Sequence, residues 1–491
     1  MQAYDLIVIG SGPAGRRAAV QAAKLKKSVL VVEKGRRVGG VCVHTGTIPS
    51  KTLRETVLNL SGWRERGIYG RAHRAKQSIT ADDLRRRLSL TLDHEVEVLE
   101  HQFSRNKVTW ITGEARFIDP LHIEVATDAG LQRFTASRFI IAVGTQPHRP
   151  AFVPFDGEAI VDADEILDIK RLPRSLSVIG ASVIGIEYAT IFSALDVKVT
   201  VIEPNESLLN FIDRELVDEF IHDMRDRGMT LRFQSKPVRV QRMGPDACLI
   251  ELEDSRQIWS EMVLFAAGRK GATDALELEA CGLSADERGR IDVDRATFRT
   301  KAPHIYAVGD VIGFPSLAST SMEQGRIAAC HAFNEPAQAP PEFFPYGIYS
   351  VPELSIIGMT EEQARAKGIP YECGIARFRE TARGQIMGLN SGFMKMIFAL
   401  DTRRLLGVHI VGEGATELIH IGQAVLNLGG TLEYFVENTF NYPTLAEAYK
   451  IAALDAWNRM PRRLGSEDVD LDSLDQATAA LKRFAAAARS A

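Results

Sequence analysis

Asp5-Leu6-Ile7-Val8-Ile9-Gly10-Ser11-Gly12-Pro13-Ala14-Gly15 decides how this chain is read. A continuous apolar run after one acid suits a strand buried on both faces. The glycine turn follows, and Ala18-Ala19-Val20-Gln21-Ala22-Ala23 continues as a helix of small residues. A second apolar run, Ser28-Val29-Leu30-Val31-Val32, ends at Glu33. Gly10, Gly12 and Gly15 let the backbone approach a pyrophosphate, and the positive end of the helix stabilises its charge. Glu33 is placed to accept hydrogen bonds from a ribose. The alternative, an ordinary tight turn with a surface acid, does not account for the complete strand–turn–helix–strand context.

The same grammar returns mid-chain. Leu176-Ser177-Val178-Ile179 is a strand, Gly180-Ala181-Ser182-Val183-Ile184-Gly185 a turn, and Ile186 to Leu195 a helix. Val197 to Ile202 is the next strand, closed by Glu203. Glu33 lies 23 residues after Gly10, and Glu203 lies 23 after Gly180. Two matched βαβ units imply two nucleotide-binding domains. The second turn carries Ser182 where the first has glycine. Its hydroxyl would crowd a pyrophosphate, bond to it, or mark a turn that no longer binds. Glu203 is followed by Pro204, Asn205 and Glu206 with no nearby Arg or Lys, so this site favours a free 2′-hydroxyl, as in NAD(H), over a 2′-phosphate. The other reading of Glu203 is a solvated acid.

The rest of the composition bounds the answer. The 491 residues suggest about three domains. Hydrophobic residues are 45% and charged residues 25%, which excludes a disordered or fibrous chain. A net charge of −4 gives no electrostatic reason to expect nucleic acid or an anionic membrane as partner. No run of 18 apolar residues suggests a membrane span. The first strand begins at Tyr4, leaving no room for a signal peptide. Cys42, Cys248, Cys281, Cys330 and Cys373 are odd in number and scattered, which points to a reducing compartment, the cytoplasm. No cluster has metal-ligand spacing, so no metal is expected.

Further punctuation comes from Phe139 to Thr145, read as strand and turn, and His304 to Asp310, read as a strand ending in Gly-Asp. Pro336 to Pro345 reads as a linker, and Tyr349 to Gly358 as an alternating region. Pro461 to Ala491 has an acidic stretch and then an Ala-rich segment read as a tail helix. Arg85-Arg86-Arg87 reads as a solvated helix face.

After the first unit comes Gly39-Gly40-Val41-Cys42-Val43-His44-Thr45-Gly46-Thr47-Ile48-Pro49-Ser50-Lys51. This segment resembles the flavoprotein pyridine nucleotide–disulfide oxidoreductases, in which it carries two redox cysteines four residues apart. Cys42 matches the first; Thr47 stands in place of the second. A thiol and a hydroxyl cannot form a disulfide. Near the C-terminus the family's disulfide-reducing members have a His-Pro dyad with a Glu five residues after the His. Here Asn441-Tyr442-Pro443-Thr444-Leu445-Ala446-Glu447 keeps Glu447 but replaces the imidazole with Tyr442. A phenol, with a reference pKa of about 10, is a poor general base at neutral pH. Both halves of a dithiol relay are therefore changed.

With Gly144-Thr145, Gly268-Arg269, Ala307 to Gly313 and Ser321 to Arg326, the pattern is similar to the soluble, FAD-dependent pyridine nucleotide transhydrogenase branch, over Tyr4 to Met460. The resemblance implies an α/β fold: two Rossmann-like nucleotide-binding domains plus a C-terminal α+β dimerisation domain. The divisions would be 1–150 and 273–340 for FAD, 151–272 for NAD(P), 341–460 for the interface, and 461–491 as tail. It implies FAD contacts at Gly10, Gly12, Gly15, Glu33, Gly40, Cys42, Thr47, Lys51, Ala115, Gly144, Asp310 and Ala318. Asp310 would bind the ribityl chain. NAD(P) contacts would come from Gly180, Gly185, Glu187, Glu203 and Gly268. Lys51 and Glu187 would pair beside the flavin ring. Lys51, Glu187, Thr47, Tyr442 and Glu447 are the candidate catalytic residues. Residues near Tyr442 and Glu447 would complete a neighbour's site in a homodimer or larger homo-oligomer. His44 is expected in a polar loop contact, and His409 and His420 in core or interface packing.

The expected activity is hydride transfer between NAD(H) and NADP(H), as substrates, through FAD and without a disulfide. Two alternatives stand beside it: an NADH-dependent diaphorase or quinone reductase, and a flavin-binding redox sensor or assembly protein.

Overall fold

A computed structural model describes residues 2–339 and 343–460. The tail-helix reading of 461–491 and the centre of the Pro336–Pro345 linker lie outside the described residues.

Strand Gln2–Ile9 lies between Val29–Glu33 and Gly130–Ile141, parallel to both. Thr109–Thr112 extends the sheet beyond Val29–Glu33, and Ile305–Ala307 pairs with the far end of Gly130–Ile141. A meander, Glu114–Asp119 and His122–Thr127, adds antiparallel strands to the other end of the same long strand. Leu6, Ile7 and Val8 are fully buried because helices cover the sheet; each contributes about 1.5–3 kcal/mol of apolar burial. Helices Pro13–Lys24 and Ala318–Ala332 pack on one another so closely that a Cβ on Gly325 would strike the carbonyl oxygen of Ala14. Chain returning after residue 272 therefore completes the first sheet.

The second sheet is all parallel, in the order Thr230–Arg232, Lys198–Ile202, Ser175–Ile179, Met262–Phe265, Ile160–Asp162. A two-stranded ribbon, Thr145–Pro147 against Arg269–Gly271, lies where the chain enters and leaves this unit. The third sheet is antiparallel, running Tyr346–Ile348, Leu354–Gly358, Leu405–Val411, Phe393–Ala399, Tyr371–Arg377. Helices Ala415–Asn427 and Glu447–Arg459 cover it. The fold class is the α/β architecture expected.

Local differences from the sequence reading have simple causes. The expected strand from His304 to Asp310 stops at Ala307, because Gly309, at φ +79°, turns the chain into the 3-10 segment Gly309–Ile312. The expected alternation from Tyr349 to Gly358 is absent: Leu354 to Ile357 are all buried, since the neighbouring unit covers the strand's second face. The Arg85–Arg87 run does lie on the outer side of helix Ala81–Arg105, whose Leu84 and Leu88 point inward.

Candidate functional site

The first glycine turn opens into a cavity of about 720 Å³, within the size range of cofactor sites. Gly10, Gly12, Glu33, Gly40, Cys42, Thr47, Ala115, Gly144, Asp310 and Ala318 all line it. Gly10 adopts φ +101° and faces the carbonyl of Ala142 so closely that no Cβ fits. Gly15 lies beneath the cavity, where a Cβ would overlap the Gly10 carbonyl oxygen; its absence lets the helix seat against the strand. Gly12 meets open space. It caps helix Pro13–Lys24 without any side-chain bond, so the amides of the first turn are free for an anion. Arg36 adds positive charge along the wall, while Lys34 and Arg37 are paired there with Glu114 at 2.7 Å and Asp93 at 2.6 Å.

Glu33 does more than wait for a ribose. Its Oε2 accepts from the Ser11 amide at 3.0 Å and hydroxyl at 2.5 Å, and Oε1 from the Gly35 amide at 2.7 Å. Three donors on a carboxylate with about four acceptor positions leave about one for a ligand. Asp310 is half-buried, and burial pushes its carboxyl above the usual range against the opposing pull of Arg269 and Ser321.

Beside the cavity, Cys42 sits on the short helix Gly40–His44. Burial raises its thiol, while the Thr47 hydroxyl bond and Arg16 oppose the rise; it is a neutral thiol at pH 7, not a reactive thiolate. All five cysteines are free. The His44 ring bonds the Val38 carbonyl at 3.0 Å, the polar loop contact expected. His409 is buried and its Nε2 donates to the Met359 carbonyl at 2.8 Å, whereas His420 is exposed and bonds Gln423.

Lys51, on helix Thr47–Ser61, and Glu187, on helix Val183–Ala194, pair across the contact of these two helices. Lys51 Nζ donates to the Glu187 carboxylate at 2.7 and 2.9 Å. The Glu187 Oε1 also accepts from the Tyr349 amide at 2.9 Å, and Lys51 Nζ sits 4.9 Å from the Tyr349 ring centre. Tyr442 and Glu447 are not brought to this cavity within the chain. Tyr442 is 72% exposed, and Glu447 Oε2, at the start of its helix, is buried with no partner among the described residues.

The second turn copies the first. Gly180 has φ +100°, and a Cβ on Gly185 would overlap the Gly180 carbonyl oxygen. Glu203 Oε2 accepts from the Ala181 amide at 2.7 Å, and Oε1 from the Asn205 amide and side chain at 3.0 and 2.6 Å. Ser182 does not crowd the turn. Its backbone, at φ −69° and ψ 173°, is ordinary for any residue, and its hydroxyl donates to the Ala266 carbonyl at 2.9 Å. Helix Val183–Ala194 therefore also presents uncapped amides. Gly268, at φ +110°, lies across from this turn after strand Met262–Phe265.

Sequence reasoning missed residues that arrive from the other unit. Asp164, just after strand Ile160–Asp162, lines the first cavity. Arg269 holds it at 3.1 Å and donates to Thr145 Oγ1 and carbonyl at 2.9 and 3.0 Å. Burial raises the Asp164 carboxyl against the pull of Arg269. Arg269 was visible in a family-like segment but carried no assigned role; Asp164 had no signal at all.

Comparison with known proteins agrees with this geometry. The family described as pyridine nucleotide-disulphide oxidoreductase matches residues 4–325, and its dimerisation domain matches 344–453. A soluble pyridine nucleotide transhydrogenase of Mycobacterium bovis is 52% identical over 94% of this chain and 98% of its own. One from Escherichia coli is 41% identical over 93% and 98%. Among solved structures, LpdA of Mycobacterium tuberculosis superposes with a TM-score of 0.85 at 25% identity, covering 92% of this chain and 99% of that one. The HOCl-induced flavoprotein disulfide reductase RclA of E. coli reaches 0.83 at 26%, covering 92% and 99%. With matched glycine turns, matched carboxylates and these relatives, the chain belongs to the pyridine nucleotide-disulphide oxidoreductase family.

Proposed function

We propose that this chain is an FAD-dependent pyridine nucleotide transhydrogenase, carrying hydride between NADPH and NAD⁺, or NADH and NADP⁺, without a redox disulfide. The observation that carries the reading is the nucleotide cavity in whose described lining the one cysteine, half-buried Cys42, is hydrogen-bonded to the hydroxyl of Thr47 and has no second thiol to pair with. The transhydrogenase relatives support it. The cavity fits FAD: an uncapped helix start for the pyrophosphate, Glu33 with an acceptor position for a ribose, and Asp310 for the ribityl hydroxyls. FAD, when bound, accepts a hydride from one nicotinamide and yields it to another.

The chain's own residues do the rest. Gly10, Gly12, Gly15, Gly40, Ala115, Gly144 and Ala318 leave room for the cofactor backbone. Lys51, fixed by Glu187, supplies a positive charge that does not reorganise when negative charge develops nearby. Gly180, Gly185, Glu203 and Gly268 receive the nicotinamide nucleotide. Tyr442 and Glu447 serve a neighbouring subunit's site in a homodimer, the assembly that the matched dimerisation domain supports. Segments 1–150 and 273–340 form the FAD domain, 151–272 the NAD(P) domain and 341–460 the interface, acting in the cytoplasm. Among the described residues no helix is long and apolar enough to cross a membrane.

A second reading, an NADH-dependent diaphorase or quinone reductase, is favoured by one observation: Glu203 and Glu206 with no cation between them and Asp213. Anaerobic titration separates the two. Bleaching of the bound flavin by NADPH and by NADH supports the transhydrogenase; bleaching by NADH alone rejects it.

A further inference from the structure

We propose that Arg232 is the specificity-determining residue that admits a 2′-phosphate at the second nucleotide site. This rests on the reading above that NADP(H) docks at the Gly180 turn.

The problem is one of charge. Glu203 ends strand Lys198–Ile202 and is 7% exposed, its carboxylate held by the Ala181 amide and by the Asn205 amide and side chain. Those three bonds fix it as the clamp of its own turn, so it cannot swing aside to make way for a dianion. The segment from Pro204 to Asp213 adds Glu206 and no Lys or Arg. The corresponding segment of the first unit, by contrast, runs Lys34-Gly35-Arg36-Arg37. A 2′-phosphate here would meet only negative charge from its own loop.

The cation comes from the adjacent strand. Thr230–Arg232 is the edge strand, and Arg232 is in register with Ile202, one residue before the carboxylate. The Glu203 amide donates to the Arg232 carbonyl at 2.8 Å. The loop is tied to the same strand end again, as the Gln234 amide donates to the Asn205 carbonyl at 2.9 Å and the Ser235 amide to the Glu203 carbonyl at 3.0 Å. Arg232 is exposed and forms no ion pair among the described residues. Lys236 and Arg214, the cations that follow this strand and this loop, are committed elsewhere, to Glu253 at 3.0 Å and to Asp218 at 2.9 Å, and Lys198 stands at the opposite end of its strand from Glu203. An unpaired guanidinium one strand away from the ribose carboxylate matches a phosphate bidentately. Glu203 then takes a ribose hydroxyl on its remaining acceptor position, and Arg232 offsets the phosphate's charge. One site can thus exchange both nucleotides.

The test uses the holoenzyme with Arg232→Gln and Arg232→Lys. Calorimetric titration with 2′,5′-ADP and with 5′-AMP reads the phosphate separately from turnover. Arg232→Gln is expected to weaken 2′,5′-ADP at least tenfold, with the 5′-AMP affinity changed less than twofold. KM for NADPH is expected to rise in parallel, with kcat changed far less, and Arg232→Lys to recover only part of the loss, because an ammonium offsets the phosphate's charge but cannot bond it bidentately. Equal weakening of both probes, or no weakening of 2′,5′-ADP, overturns the proposal. So does a wild-type enzyme that binds 2′,5′-ADP no better than 5′-AMP. If Arg232→Gln discriminates between the probes but wild-type enzyme moves no hydride from NADPH to a nicotinamide acceptor, the assignment of Arg232 stands and the transhydrogenase reading fails.

Discussion

The two glycine turns are nearly superimposable in conformation and differ in what surrounds them. Gly10 and Gly180 share a left-handed φ of about 100°, and Glu33 and Glu203 each grip the amide of the residue after that glycine. Around the first turn, the helix Gly40–His44 presses in until a Cβ on Gly40 would touch the Gly12 Cα, and Asp164 closes the wall from the other unit. At the second turn the equivalent middle residue, Ser182, is exposed. One motif thus makes a walled site suited to a resident cofactor and an open one suited to nucleotides that must leave between half-reactions. The lesson is that the turn supplies anion affinity, while residence is decided by what packs over it.

The comparison is broken most severely by filling a turn. Gly10→Ala places a Cβ on the Ala142 carbonyl at a left-handed φ, at a cost of about 1–2 kcal/mol for the backbone alone and more for the overlap. The purified variant is expected to be colourless and to melt well below wild type in a thermal scan. Gly180→Ala should be milder in colour, retaining FAD while losing nucleotide binding, because its Cβ would sit 3.0 Å from Ala266 atoms.

Next comes the joint between the sites. Lys51→Met leaves the Glu187 carboxylate buried beside the Tyr349 amide with its counter-charge gone, and destabilisation of about 3 kcal/mol is expected in urea unfolding. Flavin reduction by NADPH in stopped flow should slow at least tenfold. Unchanged reduction would mean the pair is structural only.

Ser182→Gly makes the second turn match the first. It removes one hydrogen bond to the Ala266 carbonyl, a change of about 1 kcal/mol. KM for both nucleotides is expected to move less than about fivefold. A larger change, confined to one nucleotide, would give Ser182 a discriminating role.

The smallest effect concerns pH. The second unit is anchored to the third sheet by Lys395, which is buried and held by Asp213 at 3.0 Å and Glu361 at 2.6 Å, with buried His409 nearby. Burial lowers the pKa of His409, so the folded chain keeps it neutral while the unfolded chain protonates it below about pH 6.5. Stability is therefore present above that pH and falls as pH drops below it. His409→Asn should flatten the slope of melting temperature between pH 6.5 and 5; an unchanged slope would assign it to other groups.

Much of this was legible because glycine spacing and apolar runs encode backbone geometry directly. Gly10, Gly15, Gly180 and Gly185 had to be glycines to fit, and the chain's two copies of that constraint revealed both sheets. Cys42 with Thr47 showed in the same way that no disulfide could form. What was hidden depended on long-range packing. Nothing around Asp164 announced that it would wall a cavity in the other unit, and nothing around Arg269 announced that it would hold Asp164 there. The occupation of Glu33 and Glu203 by their own turns was also unreadable, since an acid at a strand end looks the same whether it faces a ligand or an amide. Tyr442 could be read as a phenol in place of a relay histidine, but its place away from the cavity of its own chain could not, since it sits in the loop that leads into helix Glu447–Arg459.

The most direct test of the central claim is isotopic. NADPH stereospecifically deuterated at C4 would be mixed with thio-NAD⁺ and wild-type holoenzyme under anaerobic conditions, and the reduced thio-nucleotide analysed by mass. Catalytic formation of thio-NADH, carrying deuterium to the extent that it is not washed out through the flavin, is predicted, at a rate matching flavin reduction. Rapid flavin bleaching by NADH with no thio-NADH formed from NADPH would contradict the account.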